Sequence, residues 1–194
     1  MYIPAYFEES RLDVLHSLIE KHTLGTFVVP TETELIANNI PFLIDGTRGP
    51  FGVLQAHVAR ANPVWKTLSS RIPSLVCFQG ENNYISPSWY ASKQEHGKVV
   101  PTWNYITVQA QGYPKFIEDK TWLLDFVTRL TNKHEAMMEM PWQVTDAPAD
   151  YIDQLLGAIV GVEIPIERIQ GKWKMSQNRS ETDRANIAKA ISAM

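Results

Sequence analysis

Residues Tyr84-Ile85-Ser86-Pro87-Ser88-Trp89-Tyr90 and, after a polar break, Val99-Val100-Pro101-Thr102-Trp103-Asn104-Tyr105 interleave large aromatic rings with Ser, Thr and Asn. The mixture suits a flat ligand held by its face on the rings and by its polar edge on short hydrogen-bonding side chains. Trp and Tyr bury much area but carry a polar handle that needs a partner. A strand that only filled a core would favour Val, Ile and Leu. A β-hairpin with aromatic pairs across its strands and polar residues toward solvent accounts for the same spacing. The sequence leaves both readings open.

Two further segments carry donors. His57-Val58-Ala59-Arg60-Ala61-Asn62-Pro63 sets an imidazole, a guanidinium and an amide after a predicted strand. Arg60 can donate a bidentate pair to phosphate, and Asn62 adds neutral donors. The plainer alternative is a surface turn capped by Asn62, with Arg60 solvated and His57 structural. Gly171-Lys172-Trp173-Lys174-Met175-Ser176-Gln177-Asn178-Arg179 gathers cations and amide donors around one Trp, just before a predicted helix whose N-terminus favours an anion. These donors can clamp a phosphate or a ring edge. A solvated basic turn is the alternative, but it leaves Gln177 and Asn178 without a capping task.

Other chemistry finds little support. His22, His96 and His134 lack paired metal-ligand spacing, and the lone Cys77 brings no partner set, so a structural zinc site is not expected. There is no Gly-rich phosphate loop and no Gly-x-Ser-x-Gly elbow. Cys77, in the apolar run Leu75-Val76-Cys77-Phe78, reads as a small buried hydrophobe, and Met137-Met138-Glu139-Met140 as a helix end and gap-filling core.

The elements that must position these residues follow from periodicity. Residues 8–22 predict an amphipathic helix, with Leu12, Leu15, Leu18, Ile19 and His22 on one face and Glu8 and Glu9 at the start, where the dipole favours acids. Strands are predicted over 23–29, 35–45, 51–57, 75–78 and 102–111, with turns at 30–33 and 45–50 and a short helix over 64–70. From 118 to 140 the pattern is helical, with Asp119 as N-cap and Trp122, Leu123, Phe126, Val127 and Leu130 on one face. A second helix is predicted over 148–160, with Tyr151, Ile152, Leu155, Leu156 and Ile159 inward. A short strand covers 164–169. Ser180 and Asp183 mark the capping box of a last helix over 180–193. The fold class is α+β, strands first and helices packed against them.

At 194 residues, the chain suits one domain with a full core. Hydrophobic residues at 44% and charged residues at 20% are ordinary for a globular protein. No apolar run reaches the length of a membrane span, and the first residues lack the pattern of a secretory signal. With one cysteine, a cytoplasmic location is the default expectation. A net charge of −3 argues against direct DNA binding, which depends on neutralising phosphates. The densest basic segment, Lys172, Lys174 and Arg179, suffices for one phosphate group but not for a duplex.

Taken together, the 57–63, 84–90, 100–105 and 171–179 motifs closely resemble the PaiB family, known as FMN-binding negative transcriptional regulators or protease synthase and sporulation negative regulators. The resemblance runs over nearly the whole chain. It implies a single FMN-binding split-barrel domain over 1–194, related in fold to pyridoxamine-phosphate oxidases. The barrel would be a six-stranded antiparallel Greek key, with a helical C-terminal portion from about 118 packed on it. A cytoplasmic homodimer holding FMN at the subunit interface is also implied. Carried over residue by residue, Thr26, His57, Arg60 and Asn62 face the flavin and its phosphate, and Thr102, Trp103 and Asn104 meet the ring edge. Lys174, Ser176, Gln177 and Arg179 reach the site, from the partner subunit in one version. The chain departs from the family pattern at Asn39, where the resemblance implies a histidine, so any chemistry resting on that histidine is missing. The function implied is negative transcriptional regulation. The alternative is a flavin-dependent oxidoreductase or a haem-handling enzyme of the split-barrel type.

Overall fold

The computed structural model describes residues 1–69 and 71–193. Strands β1 (Glu8–Glu9), β2 (Leu24–Pro30), β3 (Leu35–Pro41), β6 (Ser74–Ile85), β7 (Thr102–Gly112) and β10 (Arg168–Lys174) form a six-stranded antiparallel sheet in the order β1-β10-β7-β6-β2-β3. Strands β4 (Leu43–Asp45), β5 (Val53–Ala59), β8 (Lys115–Ile117) and β9 (Ile159–Pro165) form a second sheet in the order β4-β5-β9-β8. The two sheets enclose the main core, in which Phe27, Phe42, Phe78, Leu54, Val108, Val162 and Ile164 are buried. Three phenylalanines stack edge to face there: Phe42 lies 6.1 Å from Phe27 and 5.6 Å from Phe78. This is the expected antiparallel barrel flanked by helices, with more strands than six.

Six helices flank it among the described residues: α1 (Leu12–Lys21), α2 (Val64–Thr67), α3 (Ser92–His96), α4 (Lys120–Glu135), α5 (Ala149–Gly157) and α6 (Glu181–Ser192). Leu15, Leu18 and Ile19 of α1 enter the main core, as their helical spacing requires. Asp119 caps α4 by accepting from the Trp122 amide at 2.7 Å, and Ser180 caps α6 by accepting from the Asp183 amide at 3.2 Å.

Several boundaries differ from the sequence reading. Residues 8–9 do not begin a helix. They pair with the β10 edge, and the Glu9 carboxylate takes up Arg11, whose hydrogen bonds hold its pKa down to about 2. The 35–45 run breaks at the buried Phe42 and feeds both sheets, so one apparent strand closes the barrel. The predicted strand 164–169 spans the turn between β9 and β10. The stretch after 118 is therefore part of the barrel as well as helical. Helix α4 stops at Glu135, leaving Met137 91% and Met140 88% exposed rather than filling a core. Tyr151 and Leu155 of α5 face outward. The predicted end of the short helix at Ser70 lies outside the described residues, and α2 stops at Thr67. Cys77 is half-buried on the outer face of the six-stranded sheet.

Gly112 marks the closest approach of the two sheets. A Cβ there would meet the Pro165 carbonyl oxygen at 2.1 Å, and a backbone atom cannot swing aside. Gly112→Ala is expected to cost about 1–3 kcal/mol through this overpacking, read as a lower melting temperature in a thermal scan.

Candidate functional site

Strand alternation sorts the side chains. On β10, Trp173 points inward against the main core, so Lys172 and Lys174 share the opposite face. Lys172 is 8% exposed; its ammonium donates to the Tyr2 carbonyl at 3.1 Å and lies 5.3 Å from the Tyr105 ring centre. Lys174 donates to the Thr102 hydroxyl at 2.6 Å and to the Trp103 carbonyl. Arg179 lies over the Tyr90 ring at 4.8 Å. Burial, followed by the charges of Lys172 and Arg179, pulls the Lys174 pKa below its ordinary value. No carboxylate lies within 4.0 Å of these three cations among the described residues.

The segment after β10 is held in place from below. Ser176 adopts φ 62°, a left-handed conformation unusual outside glycine. Its buried hydroxyl donates to Asn104 Oδ1 at 2.9 Å. Gln177 folds back, accepting from the Met175 amide at 2.7 Å and donating to the Trp173 carbonyl. Thr102, Trp103, Asn104, Lys174, Ser176, Gln177 and Arg179 thus come together in one protomer. Tyr84 and Trp103 pair across β6 and β7 with ring centres 5.9 Å apart, and both remain about half exposed. The cross-strand aromatic pair of the hairpin reading is therefore present, with its rings open to solvent.

Thr26 and Asn62 stand apart from these residues, each bonded to one of two adjacent asparagines of β3 whose side chains take opposite faces. Thr26 donates to Asn39 Oδ1 at 2.8 Å, and Asn62 donates to Asn38 Oδ1 at 2.9 Å while accepting from the Val64 amide. Thr26 sits in a cross-strand row with Asn39, Cys77, Gln109 and Gln170 on the outer face of the six-stranded sheet. His57 and Arg60 also stand apart. His57 lies on the other sheet, packed edge-on against Phe126 of α4 at 5.7 Å. Arg60 is committed to the Gly157 and Ile159 carbonyls and to Glu118; its own carbonyl accepts from Trp65, which braces the turn carrying Asn62. Lys172 is part of the basic segment read from the sequence but is not among the site residues that the resemblance carries over. The two-residue spacing to Lys174 was its signal, hidden because β10 was expected to end before it.

The fold defines the class. This is a split-barrel protein, and solved structures of flavoproteins share the architecture. The flavocytochrome Anf3 of Azotobacter vinelandii superposes with a TM-score of 0.65 at 12% identity, covering 95% of this chain and 78% of that one. The FAD and heme binding protein of Mycobacterium smegmatis gives 0.64 at 14% identity, covering 92% and 78%. The chain belongs to the family described as "Putative FMN-binding domain", whose model matches residues 1–168. It is also 32% identical over 191 residues to the Protease synthase and sporulation protein PAI 2 of Bacillus subtilis, covering 98% of this chain and 89% of the relative. The family expected from the motifs is the one found.

Proposed function

We propose that the protein is an FMN-binding homodimer acting in negative transcriptional regulation through a ligand or protein partner. The observation that carries the flavin site is the trio Lys172, Lys174 and Arg179, clustered without a carboxylate counter-ion beside exposed Trp103 and Tyr84. Unopposed like charges cost energy unless an anion joins them, and FMN brings a phosphate on the same molecule as a flat ring. Lys174 and Arg179 would hold the phosphate, with Ser176 and Gln177 shaping the turn around it. Thr102 and Trp103 would meet the ring edge, with the buried Asn104 holding Ser176 behind them. FMN, when bound, supplies the capacity for electron and hydride transfer. The protein's contribution is binding, orientation and charge.

The position of Thr26 supports a dimer. Thr26 lies three strands across the sheet from Lys174, too far to share one flavin within a protomer. A partner laid against the outer sheet face would bring one protomer's Thr26 toward the other's cation cluster. Leu24 and Leu35, 65% and 72% exposed at that edge, would be covered by the same contact. Sedimentation at micromolar concentration with FMN is expected to give a dimer. A strict monomer would sink the composite site.

Regulation by direct operator binding has little physical basis. The net charge of −3 offers little counterion release. In an anisotropy titration at physiological salt with competitor DNA, the purified protein is expected to bind its own upstream region weakly and without sequence preference. Tight, selective binding would restore the literal meaning of a repressor. Turnover of NADPH with oxygen by the FMN-loaded protein would instead place it among flavin-dependent oxidoreductases.

A further inference from the structure

On the side of the barrel away from the cation cluster, α4, α5 and the 141–147 segment cover the outer face of the four-stranded sheet. They leave a cavity of about 290 Å³. Its wall is mostly apolar, with Val127, Trp142, Val144, Ile152 and Leu156 contributing and Thr131 adding one hydroxyl, and no Asp, Glu, Lys or Arg lines it. The one imidazole in the wall is His57. Its Nδ1 has no accessible surface and no hydrogen-bond partner, so Nε2, also unbonded to the protein among the described residues but not shut off, is the ring nitrogen that the cavity can reach. Phe126, stacked on Trp122 at 5.4 Å, backs the His57 ring edge-on at 5.7 Å.

Native proteins satisfy such polar groups with protein, water or ligand, and Nε2 is the group that a molecule in the cavity can satisfy. A cavity lined by apolar side chains with one or two polar groups is the usual form of a small-molecule site. We propose that this cavity is a second binding site, separate from the flavin site, for an uncharged bicyclic aromatic molecule carrying one hydroxyl group. Size sets the number of rings, since roughly 150 Å³ already admits benzene. The absence of charge in the wall excludes an ionic ligand, which would lose its hydration without compensation. Burial pulls the His57 pKa down, so the ring is neutral at pH 7 and offers one donor and one acceptor. A hydroxyl group can serve either tautomer.

The probe is 2-naphthol, titrated calorimetrically into the FMN-saturated protein, with naphthalene and 2-naphthoate as comparisons. One molecule per chain is expected to bind, about tenfold tighter than naphthalene, with no binding of the carboxylate and no release of FMN. His57→Phe keeps the apolar volume and should erase the preference for naphthol over naphthalene. Leu155→Trp, at the exposed rim of the cavity, should block both while leaving the FMN titration unchanged. The assignment is overturned by absent saturation, by displacement of FMN, or by wild-type naphthol preference in His57→Phe. Because FMN binding is read separately, failure here is distinct from failure of the flavin assignment.

Discussion

Replacing Lys174 and Arg179 together by Gln is expected to weaken FMN binding on the order of a hundredfold while leaving riboflavin binding nearly unchanged. Each charge-assisted hydrogen bond to a phosphate contributes about 1.5–3 kcal/mol, and tenfold in affinity corresponds to about 1.4 kcal/mol. Two neighbouring contacts are not fully additive, which holds the estimate at the lower end. The comparison with riboflavin isolates the phosphate, because the two ligands share the ring. Gln at position 174 can still donate to Thr102, so the fold should survive, and a melting scan without ligand checks that it does. Equal losses for FMN and riboflavin would move the phosphate elsewhere.

The second large effect is structural. Arg48, in the turn after β4, grips Glu163 of β9 with two hydrogen bonds of 2.6 and 3.0 Å, and Gln55 of β5 donates to the same carboxylate at 2.7 Å. Arg129 of α4 donates to Gln55 at 3.0 Å, which ties the helix to the sheet. Glu163 is 8% exposed, so Arg48→Met strands a buried charge. Breaking a fully buried pair costs about 3–5 kcal/mol. The Arg48 side chain is 47% exposed, so water already screens part of the pairing, and about 2–3 kcal/mol is the expected loss.

The pH dependence fixes the sign. Hydrogen bonding from Arg48, opposed by burial, holds the Glu163 carboxyl below its ordinary value of 4.5. A depressed carboxylate stabilises the fold fully above its unfolded pKa, and that stability is lost as the pH falls through the folded value. The gap between wild type and Arg48→Met should therefore be constant near neutrality and narrow in acid below about pH 4.5. Denaturant melts at several pH values measure it. A gap that widens in acid would contradict the pairing.

What could be read from the sequence was local. Asp119 and Ser180 cap their helices as expected because a cap needs only its next three residues. The amphipathic face of α1 was legible for the same reason. The break at Phe42 was not, since a continuous β-rich run does not show which sheet each half will join. The end of α4 was misread because Met is a good helix former, and nothing within Met137–Met140 shows that the chain turns away there. The site divided along the same line. Lys174, Ser176, Gln177 and Arg179 were visible as a dense motif. The bond from Ser176 to Asn104 spans 72 residues, and the clamp from Arg48 to Glu163 spans 115. Only the folded chain brings them together.

The outer end of the β6–β7 hairpin has a small hydrophobic cluster of its own. Ile85, Tyr90 and Ile187 are buried there, apart from the barrel core, with Trp89, Val99 and Ile191 packed around them. Asp183 of α6 locks the cluster by accepting from the Ser92 amide at 3.1 Å and hydroxyl at 2.8 Å. A unit with so few buried side chains opens at lower free energy than the barrel. Its amides should therefore exchange with deuterium ahead of those in β5 and β9. Because Arg179 lies against Tyr90 in this unit, a bound phosphate would stabilise the closed form and slow that exchange. The hairpin tip can therefore open and close on its own without the barrel unfolding.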